Sequence, residues 1–127
     1  MLADWNAMTI TALTHAAQTF RNTGWRDLAI RAFSALERDL GETANGKPTG
    51  RLVHSARRVD DTVHQLDVCL AADLAHAAEA ALALYQSTGA DAYLHKAIGW
   101  MGSLESAYAD TQRGGYFEND DRTPGLL

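Results

Sequence analysis

The sequence predicts an all-α protein made of two repeated helical hairpins, four main helices in all, with a short extended segment after each hairpin. Three observations predict it. Apolar residues recur at helical spacing in four separate stretches. Threonine–glycine pairs, Thr23-Gly24 and Thr88-Gly89, punctuate those stretches where a helical hairpin must turn. The chain, laid over itself with a shift of 65 residues, also puts Thr23-Gly24 on Thr88-Gly89 and Gly50 on Gly115, together with Ala12 on Ala77, Ala16 on Ala81 and Ala32 on Ala97. A hairpin that cannot bury its apolar face alone generally stacks on a second copy.

Taken in order, the first helix is expected over Asp4–Arg21. Met8, Ala12, Ala16 and Phe20, with Leu13 and Ala17, form its apolar stripe, and Asp4 is placed to accept first-turn amide protons. Asn22-Thr23-Gly24 ends it. The second helix, Trp25–Leu40, buries Leu28, Ala29, Ala32, Phe33, Leu36 and Leu40. The run from Gly41 to Gly50 is turn chemistry throughout, Arg51–Ser55 reads as a short extended piece, and Ala56–His64 as a charged, irregular loop. The third helix, Gln65–Ser87, is apolar nearly all round, through Val68, Leu70, Ala71, Leu74, Ala75, Ala78, Ala81, Leu82 and Tyr85. The fourth, Ala90–Asp110, buries Tyr93, Leu94, Ala97, Ile98, Met101 and Leu104, and Gly114-Gly115 turns into a second extended piece at Tyr116-Phe117. Length predicts one domain over residues 1–127, with repeat one at 4–55 and repeat two at 67–120.

Composition excludes several classes. A net charge of −5 with no basic face argues against a nucleic-acid partner. No stretch reaches the roughly 20 apolar residues that span a bilayer, so a membrane partner is not expected, and no signal peptide is readable behind Met1. The single cysteine, Cys69, rules out an internal disulfide and a Cys-x-x-Cys redox pair. A cytoplasmic protein without a cofactor is the expectation. Cys69, with no base beside it in the sequence, reads as a small buried hydrophobe.

Two groups carry chemistry on their own residues. Asp73 lies inside the most apolar helix, where a buried carboxyl is driven toward its neutral form and can serve as a general acid. It can equally be a structural acid, or face solvent at the helix rim. Of five histidines, His76 stands three residues before Glu79 on one helix, a spacing that can share a ligand, but no second pair completes a metal site. No metal is expected.

The order of motifs resembles one family. Leu2-Ala3-Asp4-Trp5-Asn6 resembles an "L-x-D-W-N-G" opening, and Arg51-Leu52-Val53-His54-Ser55, Ala81–Gly89 and Gly114-Gly115-Tyr116-Phe117 follow in the same order. This is the helical domain of the thioredoxin-domain-containing, spermatogenesis-associated-protein-like proteins. The resemblance implies an (α/α)6 toroid related to N-acylglucosamine 2-epimerases and six-hairpin glycosidases. On that reading the chain is a fragment with two of six hairpins, stopping at Thr123-Pro124-Gly125-Leu126-Leu127 and inactive alone. Two positions depart from the pattern. Ala7 replaces a glycine, and Ala72-Asp73-Leu74-Ala75 replaces "D-D-Y-A". The resemblance implies a sugar at the ends of the inner helices, with Trp5 and Asn6 binding it and Asp4, Asp73 and His54 as catalytic candidates. His54 stands in an extended piece that the family shares.

A second function class stands beside this one, a self-associating helical module without catalysis. The expected partners are further copies of the chain or the remainder of a parent protein. Three copies would carry six hairpins, and Ala81→Glu would dissolve the assembly if that helix face mediates it.

Overall fold

The computed structural model describes residues 1–120, so the Thr123–Leu127 tail lies outside the described residues. The four helices are present as α1 (Ala3–Thr19), α2 (Thr23–Leu40), α3 (Ala71–Thr88) and α4 (Asp91–Tyr108). Between α2 and α3, however, the chain makes four strands: β1 (Gly41–Ala44), β2 (Lys47–Leu52), β3 (Ser55–Val59) and β4 (Thr62–Leu66). They pair as two antiparallel two-stranded sheets, β1–β2 and β3–β4. The fold is therefore α+β, and the expectation of an all-α chain is corrected.

The physical reason lies in two turns. Asn45 and Gly46 both take positive φ (52° and 74°), as do Asp60 and Asp61 (46° and 62°). Consecutive left-handed residues make the turn whose twist suits a two-residue hairpin, and Asn-Gly is its strongest sequence signal. The arms hid that signal, because they carry little apolar alternation and their side chains are mostly exposed. The supposed loop at Ala56–His64 is the β3–β4 hairpin, with Ser55 opposite Leu66 and Val59 opposite Thr62. Gln65 consequently belongs to a strand, and α3 starts at Ala71.

An isolated hairpin is at best marginally stable. This one is held at its base, where Leu2 bridges Ser55 and the Met1 amino group donates to the Ala56 carbonyl at 2.7 Å. Higher up, the Arg58 Nη2 donates to Asp39 Oδ1 at 3.0 Å.

α1 and α3 pack together, α2 lies on α1 and α4 on α3. The core runs between them through Ile10, Phe33, Leu36, Leu74, Leu84 and Leu104. Phe33 meets Tyr93 and Trp100 edge-on, with ring centroids 5.4 and 5.8 Å apart, which ties α2 to α4. The Lys96 ammonium pairs with Glu37 across the same seam. Gly50 takes φ +81°, and an added Cβ there would lie 2.5 Å from Ser103 Oγ, so both conformation and space require glycine.

The stripe predicted for α1 is turned. Met8, Ala12 and Phe20 are exposed, whereas Ala3, Ala7, Ile10, Thr11, Thr14 and Ala17 are buried. The buried threonines escape an unsatisfied hydroxyl by donating to carbonyls one turn back, Thr11 to Ala7 and Thr14 to Ile10. Leu28, Ala75, Leu82, Ile98 and Met101 are likewise exposed rather than core, while Trp100 and Tyr108 are buried. Ala81 has no exposure at all. A glutamate there would disrupt the fold itself and report nothing about assembly.

The internal repeat is present in the backbone, but with a different shift. α2 and α4 coincide at a shift of 68 (Thr23 to Asp91, Leu40 to Tyr108), and α1 meets α3 at the same shift (Ala3 to Ala71). The returning segments coincide at 64: Leu2 bridges Ser55 as Leu70 bridges Asn119. The Ala3 amide donates to the His54 carbonyl as the Ala71 amide donates to Glu118, both at 2.8 Å. Val53 reaches Leu40 as Phe117 reaches Tyr108. The 65-residue overlay had matched the beginning of α2, Thr23-Gly24, with the end of α3, Thr88-Gly89. No helix among the described residues is long and apolar enough to cross a membrane.

Candidate functional site

The N-terminal ends of α1 and α3 lie side by side, and a helix N-terminus leaves unpaired amides that attract a carboxylate. Asp73 answers both. It is the third residue of α3 and has no solvent exposure. Its Oδ2 accepts from the Leu70 amide at 3.1 Å, capping its own helix. Leucine has no side-chain acceptor to return the bond, so only this half of a capping box forms. Its Oδ1 accepts from the Asp4 amide of α1 at 3.2 Å. One buried carboxylate thus ties the two repeats together.

The third partner is His54, which follows β2 and precedes β3. Its Nδ1 lies 3.0 and 3.2 Å from the two Asp73 oxygens. Backbone pairing fixes the histidine from both sides: its carbonyl accepts from Ala3, and its amide donates to Val68 at 2.6 Å. With the carboxylate ionised, Nδ1 must be the donor, which leaves Nε2 with the free lone pair. The His54 side chain keeps 26% of its surface exposed. Burial pushes the Asp73 carboxyl above its ordinary value, opposed by the hydrogen bond from His54 and the Leu70 amide. The expected upward drive on this acid is therefore present, and so is a basic partner that the sequence did not reveal.

The other candidates are distributed differently. Asp4 sits in the first turn of α1, where its carboxylate accepts from the Trp5 amide at 2.7 Å; the residue preceding the helix is Leu2. Trp5 is 65% exposed. Asn6 spends its side-chain amide on the Leu2 carbonyl at 2.7 Å. The structure thus brings Asp4, His54 and Asp73 together and keeps the side chains of Trp5 and Asn6 out of their hydrogen bonds.

Among the described residues, Asp4, His54 and Asp73 are also the set whose ligand atoms could meet at a metal ion, lying within 4.8 Å of one another. Both Asp73 oxygens already accept hydrogen bonds in a dry setting, so the donor set fits a His–carboxylate pair better than an ion. His76 Nδ1 and Glu79 Oε2 stand 3.5 Å apart on an exposed face, too far for a firm hydrogen bond.

A second buried polar centre escaped sequence reading. Arg51, with 7% exposure, lies one residue before the end of β2 and donates from Nη1 to Glu42 at 2.8 Å and to Asp67 at 3.0 Å, and from Nε to Asp120 at 3.1 Å. Burial opposes its charge, but the hydrogen bonds it donates to Glu42 and Asp67 outweigh it and hold the guanidinium firmly cationic. Beside it the Cys69 thiol is pushed up to about 11 by burial and stays protonated. The signal available in advance was an arginine flanked by Gly50 and the apolar Leu52-Val53; its three carboxylates are scattered along the sequence and declare nothing. Compared with protein-family models and with curated protein sequences, the chain matches none.

Proposed function

We propose that the His54–Asp73 pair is the polar end of a carbohydrate-related site, and that this domain supplies two hairpins of an (α/α) toroid of the sugar-epimerase and glycosidase kind. One observation carries the reading. Two stretches of the resemblance, at Leu2–Asn6 and Arg51–Ser55, converge with Asp73, the acid kept where Ala72–Ala75 departs from the pattern, on a single His–carboxylate pair at the ends of two adjacent helices. In this role His54 presents Nε2 to the ligand and moves a proton, while Asp73 sets its tautomer and orientation. Asp4 adds a carboxylate at the rim. Two hairpins bind weakly and do not turn over, because the remaining walls of such a pocket come from other hairpins. The lone, buried Cys69 fits a cytoplasmic setting.

The test is an NMR titration of the His54 ring with N-acetylglucosamine and N-acetylmannosamine into the tens of millimolar. A saturable shift at His54 is expected. A folded protein whose His54 resonances stay fixed throughout would sink the proposal.

A further inference from the structure

α1 and α3 occupy the same place in the two repeats but are buried on different sides. In α3, Asp73, Ala77, Ala80 and Leu84 fall on one face and all are buried, and the bond from the Asp4 amide to Asp73 marks that face as the one toward α1. The residues 68 positions earlier are Trp5, Thr9, Ala12 and Ala16. On α1 this same face is open: Trp5, Thr9 and Ala12 are exposed and Ala16 half-buried, with exposed Met8 and Phe20 flanking them. The converse holds for part of the buried side of α1, although Ile10 and its counterpart Ala78 are both buried. Ala7 and Thr14 are buried, while their α3 counterparts Ala75 and Leu82 are exposed.

We propose that these two open faces are the two halves of one interface, and that the occupant is a second copy of this chain. The Trp5–Thr9–Ala12 face of α1 in one copy packs on the Ala75–Leu82 face of α3 in the next, repeating between chains the α1–α3 contact within each. Repeats of this kind stack because the unit leaves a matching surface on either side. Tryptophan, methionine and phenylalanine left on one face mark it as an interaction surface rather than a solvated cap. A second copy fits best because this chain carries both halves. Contact of this type is head-to-tail, so each added copy leaves one half free at either end, and the assembly closes as a ring or grows as a stack. This inference does not rest on the sugar reading, and it assigns Trp5 to the interface.

The repeat also names a residue pair across the interface. Asp4 touches Asp73 within the chain, so Ala72 of one copy meets Trp5 of the other. The experiment mixes separately purified Trp5→Cys and Ala72→Cys proteins under mild oxidation and compares the mixture with each variant alone. Cys69 is fully buried and does not compete. The mixed disulfide is expected to exceed either self-linked product several-fold, and unmodified protein should run above the mass of one chain in light scattering. Ala12→Glu, at an exposed position, should return the mass to one chain with its helical circular dichroism intact. Faster self-linking of Trp5→Cys would show a symmetric α1–α1 contact and overturn the proposal. A single-chain mass at every concentration, or an assembly indifferent to Ala12→Glu, would overturn it as well.

Discussion

The third residue of α3 is Asp73, wholly buried and bonded to two helix ends; the third residue of α1 is Trp5, mostly exposed. The pattern continues down the repeat. His54 corresponds to Glu118 at the returning segment, Arg51 to Gly115, and Arg21 at the first hairpin turn to Gly89 at the second. The backbone plan is held in common, as the matched bridges at Leu2–Ser55 and Leu70–Asn119 record. The polar chemistry is not. It gathers where repeat one meets repeat two, and the equivalent positions at the outer edges hold a tryptophan and a glycine. Backbone bonds at these positions are made by any residue, so side chains are free to diverge, and they diverge according to what covers them.

The sharpest way to break this comparison is at Arg51. Its guanidinium holds Glu42, Asp67 and Asp120 together, and Asp120 belongs to the far end of the second repeat. Arg51→Met removes the cation that the buried Asp120 and the partly buried Glu42 face. A loss of about 3–5 kcal/mol is expected, read from urea midpoints. Gly115, at the corresponding place, is exposed with φ +85°, and only its backbone makes a contact, the carbonyl accepting from the Asp110 amide. Gly115→Ala should therefore cost only about 1 kcal/mol, from backbone strain. Equal losses at the two positions would remove Arg51 from its role as the tie between repeats.

Asp73 comes next. Asp73→Ala deprives the Leu70 and Asp4 amides and His54 of their acceptor, and a loss of about 2–3 kcal/mol is expected for buried donors left unpaired. Trp5→Ala, at the same position of the other repeat, should change the stability of the monomer by no more than about 0.5 kcal/mol. Chemical denaturation of both variants at low protein concentration decides it; comparable losses would mean that Trp5 is anchored within its own chain.

These contrasts also show what could be read in advance. Four helices were legible because their apolar spacing is local information, and Leu36, Leu74 and Leu104 reach the core where that spacing puts them. The face of α1 was not, because Met8 and Phe20 look like core residues and Thr11 and Thr14 do not, until the hydroxyls are seen to donate to carbonyls one turn back. The hairpins were missed because their stability comes from the turns and from anchoring at the base, not from an apolar face. At the site, Asp73 and His54 could each be singled out as candidates, but their pairing could not, since it depends on the Ala3–His54 and His54–Val68 backbone bonds. Arg51 was legible only as part of a motif.

The acid response sharpens the comparison further. Burial raises the folded-state value of Asp73 above the ordinary 3.8. A carboxyl shifted upward contributes stability that is fully present below its unfolded value and is lost as pH rises through the folded one. Relative to Asp73→Asn, which does not titrate, the wild-type protein should therefore gain stability as pH falls from 7 toward 4. Urea midpoints for the pair at several pH values test the sign, and a wild-type advantage that shrinks on acidification would contradict the burial argument.

The smallest effect concerns the hairpin turns, where the same left-handed conformation falls to Arg21 (φ 53°) in repeat one and to Gly89 (φ 71°) in repeat two. A side chain in that conformation costs roughly 1–2 kcal/mol, part of which glycine returns as unfolded-chain entropy. Arg21→Gly should thus stabilise the protein by about 0.5–1 kcal/mol, and Gly89→Ala should destabilise it by a similar amount. The two changes make each turn resemble the other, and thermal midpoints moving in opposite directions would show that the turns are equivalent in backbone and differ only in the residue that occupies them. If Arg21→Gly instead lowered the midpoint, the arginine side chain would be making a contact that offsets its strained backbone, and the first turn would have acquired a task that the second does not have.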